Sequence, residues 1–135
     1  MTADQAIGYT LLNTSALTSI TSTRVYHGMR PDSTTTPCVN FFRMPGGSRK
    51  DGMDRRIYSI NCRAVTANTA INMATIIINT FHGASGRGVK GDVASSFSII
   101  SASLQQDGGL IFEEADNLYN APVDIQVVYP TSTVT

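Results

Sequence analysis

The chain has 135 residues and a mass of 14.5 kDa, enough for one domain and too little for a second with its own core. Hydrophobic residues make up 41% of it, and folding at this length removes about two-thirds of the surface an unfolded chain exposes, so a single core without a cofactor is feasible. Ten Lys and Arg cancel ten Asp and Glu, which excludes the global field that marks a nucleic-acid or membrane-surface protein.

The charged fraction is 15%, well below the roughly 25% of an average soluble domain, and Thr, Ser and Asn carry the polarity instead. Such a surface suits a chain that is covered by other subunits. The longest apolar run is far short of the about 20 residues of a bilayer-spanning helix. Met1-Thr2-Ala3-Asp4-Gln5 has neither a basic n-region nor an apolar h-region, which predicts an intracellular origin and no membrane contact.

In chain order, Thr2-x-x-Gln5 has the spacing of a capping box, and Ala3, Ala6, Ile7 and Leu11 recur at helical intervals, which predicts a helix from about Ala3 to Asn13. The stretch Thr14 to Thr23 extends that helix or forms a connector, anchored by Leu17 and Ile20. Arg24-Val25-Tyr26 reads as a short strand, and Gly28, Pro31, Asp32 and Pro37 bound a loop. Cys38 to Met44 and Ile57 to Ala64 read as strands; in the second, Tyr58, Ile60, Cys62 and Ala64 alternate with Ser59, Asn61 and Arg63. Between them Pro45 to Asp54 reads as a long, mobile hairpin loop, too polar and Gly-rich to pack.

Thr66 caps the next helix, whose apolar stripe is Ala67, Ala70, Ile71, Ala74, Ile77, Ile78 and Phe81, with Gly83 as its stop. Gly83 to Gly91 reads as a connector and Phe97 to Leu104 as a strand. Asp107-Gly108-Gly109 reads as a hairpin turn into Leu110 to Phe112. After the acidic turn Glu113 to Asn117, the last strand runs from Tyr119 to Tyr129, and Thr131 to Thr135 is a flexible tail. The expectation is an α+β fold, a mainly antiparallel sheet of four to six strands with two helices packed on one face.

No pattern in the sequence supports catalysis or a cofactor, so the chain is expected not to be an enzyme. Gly86-Arg87-Gly88-Val89-Lys90-Gly91 has the letters of a dinucleotide fingerprint, but a helix precedes and a strand follows, the reverse of what pyrophosphate binding needs. His27 and His82 have no Asp, Glu or Cys at a metal spacing, and Cys38 and Cys62 read as buried free thiols. What does stand out is charge segregation. Arg43, Arg49, Lys50, Arg55, Arg56 and Arg63 face only Asp51 and Asp54, whereas Asp107, Glu113, Glu114, Asp116 and Asp124 have no base among them. Opposite patches on one subunit favour a head-to-tail contact between copies, which closes into a ring when the rotation divides a full turn. Two solvated loops, or a bridge inside one chain, account for the same charges equally well.

The order and spacing of Leu11-Leu12-Asn13, Leu17 through Gly28, Pro31 and Pro37-Cys38-Val39-Asn40-Phe41 resemble the opening of the tail-terminator, or tail-completion, proteins of long-tailed bacteriophages. Arg56 through Ala64 sits where that family has the strand before its long helix, and Leu118-Tyr119 through Tyr129 where it has its closing strand. The resemblance implies a non-enzymatic virion subunit, assembled in the host cytoplasm as a ring, usually a hexamer, at the head-proximal end of the tail. Its partners would be further copies of itself, the tail tube protein and a neck or connector protein. Charge and loop length, rather than the family motif, then place the loop Gly46 to Asp54 at the lumen or the tube-facing side, with Arg49, Lys50, Arg55 and Arg56 as contact groups, and Glu113, Glu114 and Asp116 at the neighbouring subunit. The basic loop also allows non-specific contact with DNA passing through the lumen. A different head–tail adaptor ring, and more remotely a small nucleic-acid- or peptide-binding domain, are the alternatives.

Overall fold

The computed structural model describes residues 3–29, 35–50, 52–82, 101–115 and 117–130. Among these are three helices, α1 (Ala3–Leu12), α2 (Ser15–Thr21) and α3 (Ala67–Phe81). The strands are β1 (Val25–His27), β2 (Cys38–Arg43), β3 (Ser48–Lys50), β4 (Met53–Ala64), β5 (Ser101–Asp107), β6 (Ile111–Glu113) and β7 (Leu118–Pro130). They form one sheet in the order β1-β2-β4-β7-β5, with β3 added to β4 and β6 to β7. All pairs are antiparallel except β1 with β2. The α+β fold is therefore as the sequence predicts, though among the described residues the sheet has seven strands rather than four to six and there are three helices rather than two.

The centre of the sheet is the pairing of β4 with β7, in register from Met53 opposite Pro130 to Ala64 opposite Tyr119. Period-two alternation sends Tyr58, Ile60, Cys62 and Ala64 of β4 and Ala121, Val123, Ile125 and Val127 of β7 to one face. There they meet α3 through Ala70, Met73, Ala74, Ile77 and Phe81, and α1 through Ala6, Ile7 and Leu11, in a single cluster. Each large aliphatic side chain buried in it contributes roughly 1.5–3 kcal/mol. Thr66 caps α3 as expected, its side chain accepting from the Thr69 N–H. Cys38 and Cys62 are free and buried, and burial pushes the Cys62 thiol pKa up.

Four details differ from the sequence reading. The Thr/Ser-rich stretch is a separate helix, α2, with Leu17 buried and Ile20 packed against the core. On α3, Met73 is buried and Ile71 is exposed, because the stripe that the core accepts is narrower than the apolar residues available. Residues 48–50 are not loop but strand: Ser48 pairs with Arg55, Arg49 with Asp54 and Lys50 with Met53. Finally, Asp107-Gly108-Gly109 turns no hairpin, since β5 and β6 both run antiparallel to β7 along one edge. Gly83 to Gly91, most of the strand predicted from Phe97, and Thr131 to Thr135 lie outside the described residues.

The break between β5 and β6 has a physical cause in β7. Pro122 has no N–H to give the neighbouring strand, so a regular ladder cannot run past it. The edge bulges there instead: 108–110 stand opposite Ala121 and Pro122, with the Gly108 N–H donating to the Pro122 carbonyl at 3.0 Å. A Cβ on Gly108 would come within 2.6 Å of Pro122 Cγ, so glycine is required for this approach.

Candidate assembly surfaces

Because β4 and β7 run the length of the molecule, they carry the two charged segments to opposite ends of the sheet. Arg55 is opposite Val128 and Glu113 is opposite Leu118. Ten residues of extended chain separate those positions along β7, about 33 Å at the usual rise per residue. The basic hairpin cannot reach the acidic turn of its own chain.

At the basic end, Arg49, Lys50 and Arg55 are exposed and Arg56 is half-buried. Arg49 Nε donates to Asp54 Oδ1 at 2.7 Å and its Nη2 to Oδ2 at 3.1 Å, a two-pronged pair across β3 and β4. Asp54 is buried, and its hydrogen bond holds the Arg49 guanidinium above its ordinary pKa. Arg56 Nη1 donates to its neighbour carbonyl on Arg55 at 3.0 Å and, longer, to the Ser48 carbonyl at 3.4 Å, bracing the root of the hairpin. Among the described residues Arg43, Lys50 and Arg55 make no such internal bond. Arg43, Gly46, Gly47, Arg49 and Arg56 line an open polar cleft beside this root.

At the acidic end, Arg63 Nε donates to Glu113 Oε1 at 2.8 Å. The same guanidinium reaches Asn40 Oδ1, and Asn40 Nδ2 donates to the Gly28 carbonyl at 2.9 Å. Asn120 Nδ2 donates to Asn61 Oδ1 at 3.1 Å. Side chains of β2, β4, β6 and β7 on the face away from the helices are thus tied by polar bonds. Glu113, expected at a neighbouring subunit, is engaged within its own chain by a residue from the basic half of the sequence. Glu114 is exposed, and Asp116 lies outside the described residues. The structure therefore brings Arg49 to Asp54 and Arg63 to Glu113, and leaves Lys50, Arg55 and Glu114 presented to solvent at the two ends.

Three features had no clear signal in sequence. Tyr58, in the core, donates its hydroxyl to Asp4 Oδ1, and Asp4 Oδ2 lies 2.9 Å from His27 Nε2, so one carboxylate pins the start of α1 to β4 and β1. Burial pushes the Tyr58 phenol pKa well above its ordinary range. His82, at the end of α3, accepts the Leu104 N–H on Nδ1 at 2.9 Å, which fixes β5 to the helix. Leu110, Ile111 and Phe112, an apolar run that the sequence presents as a strand, are about half exposed. Among the described residues no group of His, Cys, Asp and Glu could hold a metal, and no helix is long and apolar enough to cross a membrane.

No family model and no curated protein sequence matches the chain. Solved structures do match in fold. One is a chain of a structure described as the virion of a native gene transfer agent particle, with a TM-score of 0.70 and 14% identity. The likeness covers 96% of this chain and 95% of that one. At that identity it is a likeness of fold, and it extends over essentially the whole of both chains.

Proposed function

We propose that the protein is a structural subunit of a phage-like virion, acting as a tail terminator. The observation that carries this reading is the end-to-end fold likeness to a chain of a gene transfer agent virion, with neither chain holding a large segment that the other lacks. The order and spacing of the strand and helix segments that resemble the tail-terminator family narrow the reading to the head-proximal end of the tail. A surface that relies on Ser, Thr and Asn rather than on charge suits a chain covered by other subunits.

The action is geometric, not catalytic. Copies related by rotation meet through unlike surfaces and close a ring on the last layer of the tail tube. One face of the ring continues the tube, and the other lacks what a further tube layer would need and instead receives the neck. The basic and acidic ends of the sheet supply unlike surfaces on one rigid body. Particles assembled without this chain are expected to carry overlong or unattached tails in electron micrographs. Normal tails of the correct length, joined to heads, would overturn the reading. Density for the chain between portal and neck would place it in an adaptor ring instead.

A further inference from the structure

We propose that the apolar patch at the acidic end, formed by Ile71, Leu110 and Phe112 on the helix side of the sheet, is a socket for the β3–β4 hairpin of a second copy of this chain. The inference rests on the ring reading and gives that ring its contact surface.

The patch is unusual in three ways that act together. Leu110, just before β6, and Phe112, within it, both face the helix side of the sheet and are 41% and 45% exposed, and the outer edge of β6 pairs with no strand among the described residues. Solitary exposed apolar residues are ordinary, but several on one side of a strand edge form a surface that natural proteins cover or blunt with Lys or Pro, and β6 carries neither. The apolar stripe of α3 also overshoots the core in this direction. Ile71 is 45% exposed, and Ile71, Ala74, Ile78, Leu110 and Ala121 wall a groove of about 200 Å³.

Charge selects the occupant. Exposed Asp107 lines the groove and exposed Glu114 follows β6, so an apolar floor has an acidic rim. Its complement is a cationic projection with aliphatic stems to lay on the floor, and the other end of the same sheet is one. Lys50 and Arg55 are exposed, Met53 is half-buried next to the turn, and the side chains of Lys and Arg cover apolar surface with their methylenes while their charges stay in water. The hairpin is stiffened by the Arg49–Asp54 pair, which lowers the ordering cost of using it as a plug. Plug and socket lie at opposite ends of one sheet, so in a head-to-tail ring each copy donates to one neighbour and accepts from another.

Cross-linking of the full chain tests this. The native thiols are buried, so Ser48→Cys on the hairpin and Ala115→Cys beside the socket each add one accessible thiol. With a short bis-maleimide, on free protein at high concentration and on assembled particles, neither variant alone should give dimers. Their mixture should give dimers, and the double variant a ladder that stops at the ring size. Phe112→Asp, at an exposed position, should reduce cross-linking at least tenfold with an unchanged circular dichroism spectrum. Dimers from either single variant, none from the mixture in both settings, or undiminished cross-linking with Phe112→Asp would each overturn the contact. Particles capped normally by Phe112→Asp subunits would overturn it too and leave the proposed function standing. Normal tails without any of this chain would remove the function while cross-linking could still establish the contact.

Discussion

β3 and β6 each resume, after a break, an edge that a neighbouring strand has begun: β2 and then β3 on β4, β5 and then β6 on β7. The breaks arise differently. Between β2 and β3 it is written into the edge itself, where four residues, Met44-Pro45-Gly46-Gly47, span the two positions Ile57 and Arg56. Between β5 and β6 it is imposed by Pro122 in the partner strand. The resumed strands also differ in chemistry: Ser48, Arg49 and Lys50 are all polar, whereas Ile111 and Phe112 are apolar and exposed. Among the described residues neither β3 nor β6 has a second partner strand. A strand edge of that kind is a template for association, and giving two of them unlike side chains biases each against its own kind and toward the other.

The largest effect on folding is expected from closing the first break. Gly47 has φ +91°, and a Cβ there would stand 2.4 Å from the Arg55 carbonyl oxygen, which is backbone and cannot move aside. Gly47→Ala should cost about 3 kcal/mol in urea unfolding, by combining a left-handed conformation with a clash. Gly46→Ala, at φ +100° in open space, should cost only about 1 kcal/mol. Equal losses would mean that β3 does not lie against β4 as described.

Next in size is the bond that seats β6. Arg63→Leu removes a half-buried guanidinium from Glu113 and Asn40 together, and a loss of about 2 kcal/mol is expected for the groups left unpartnered. Arg49→Leu, whose guanidinium is exposed, should cost less, and thermal unfolding of the two variants side by side would show the order.

Smaller still at neutral pH is the loss from Tyr58→Phe, about 1 kcal/mol for one hydrogen bond to Asp4. Its pH signature is sharper. Burial first, then the Asp4 bond, raise the folded-state pKa of Tyr58 above its ordinary 10.0. The neutral phenol therefore contributes stability that is complete below pH 10 and falls as the pH rises above it, where the unfolded chain ionises first. Cys62, also raised by burial, adds a decline that begins near its ordinary 9.0. Stability should fall between pH 9 and 11, less steeply in Tyr58→Phe; an unchanged slope in that variant would show that the phenol is not buried against Asp4.

The sheet, the long helix with its Thr66 cap and the buried thiols were legible because each rests on local periodicity: two for β4 and β7, 3.6 for α3. The breaks were not. Whether Asp107-Gly108-Gly109 turns a hairpin or a bulge depends on Pro122, thirteen residues beyond Gly109, and on which strand lies opposite it. Charge segregation was legible as composition, but the pairing of Arg63 with Glu113 across fifty residues depends on register, as does the separation of the remaining charges to opposite ends. The exposed patch was hidden by its own signal, since Leu110-Ile111-Phe112 reads simply as an apolar strand in any window.

The smallest expected effect on folding carries the most information about the comparison of β3 with β6. Leu110→Ser changes a side chain already 41% exposed, and its effect on monomer stability should stay within about 0.5 kcal/mol. Charge reversal at either end should be as mild for the isolated chain, since Arg55 and Glu114 are both exposed. Sedimentation velocity should nevertheless show Arg55→Glu and Glu114→Arg each shifting the assembled species toward monomer, and the two together recovering part of the assembly. If the two reversals instead add, with no recovery, the cationic end of one copy does not meet the acidic end of the next, because groups that share no contact contribute independently.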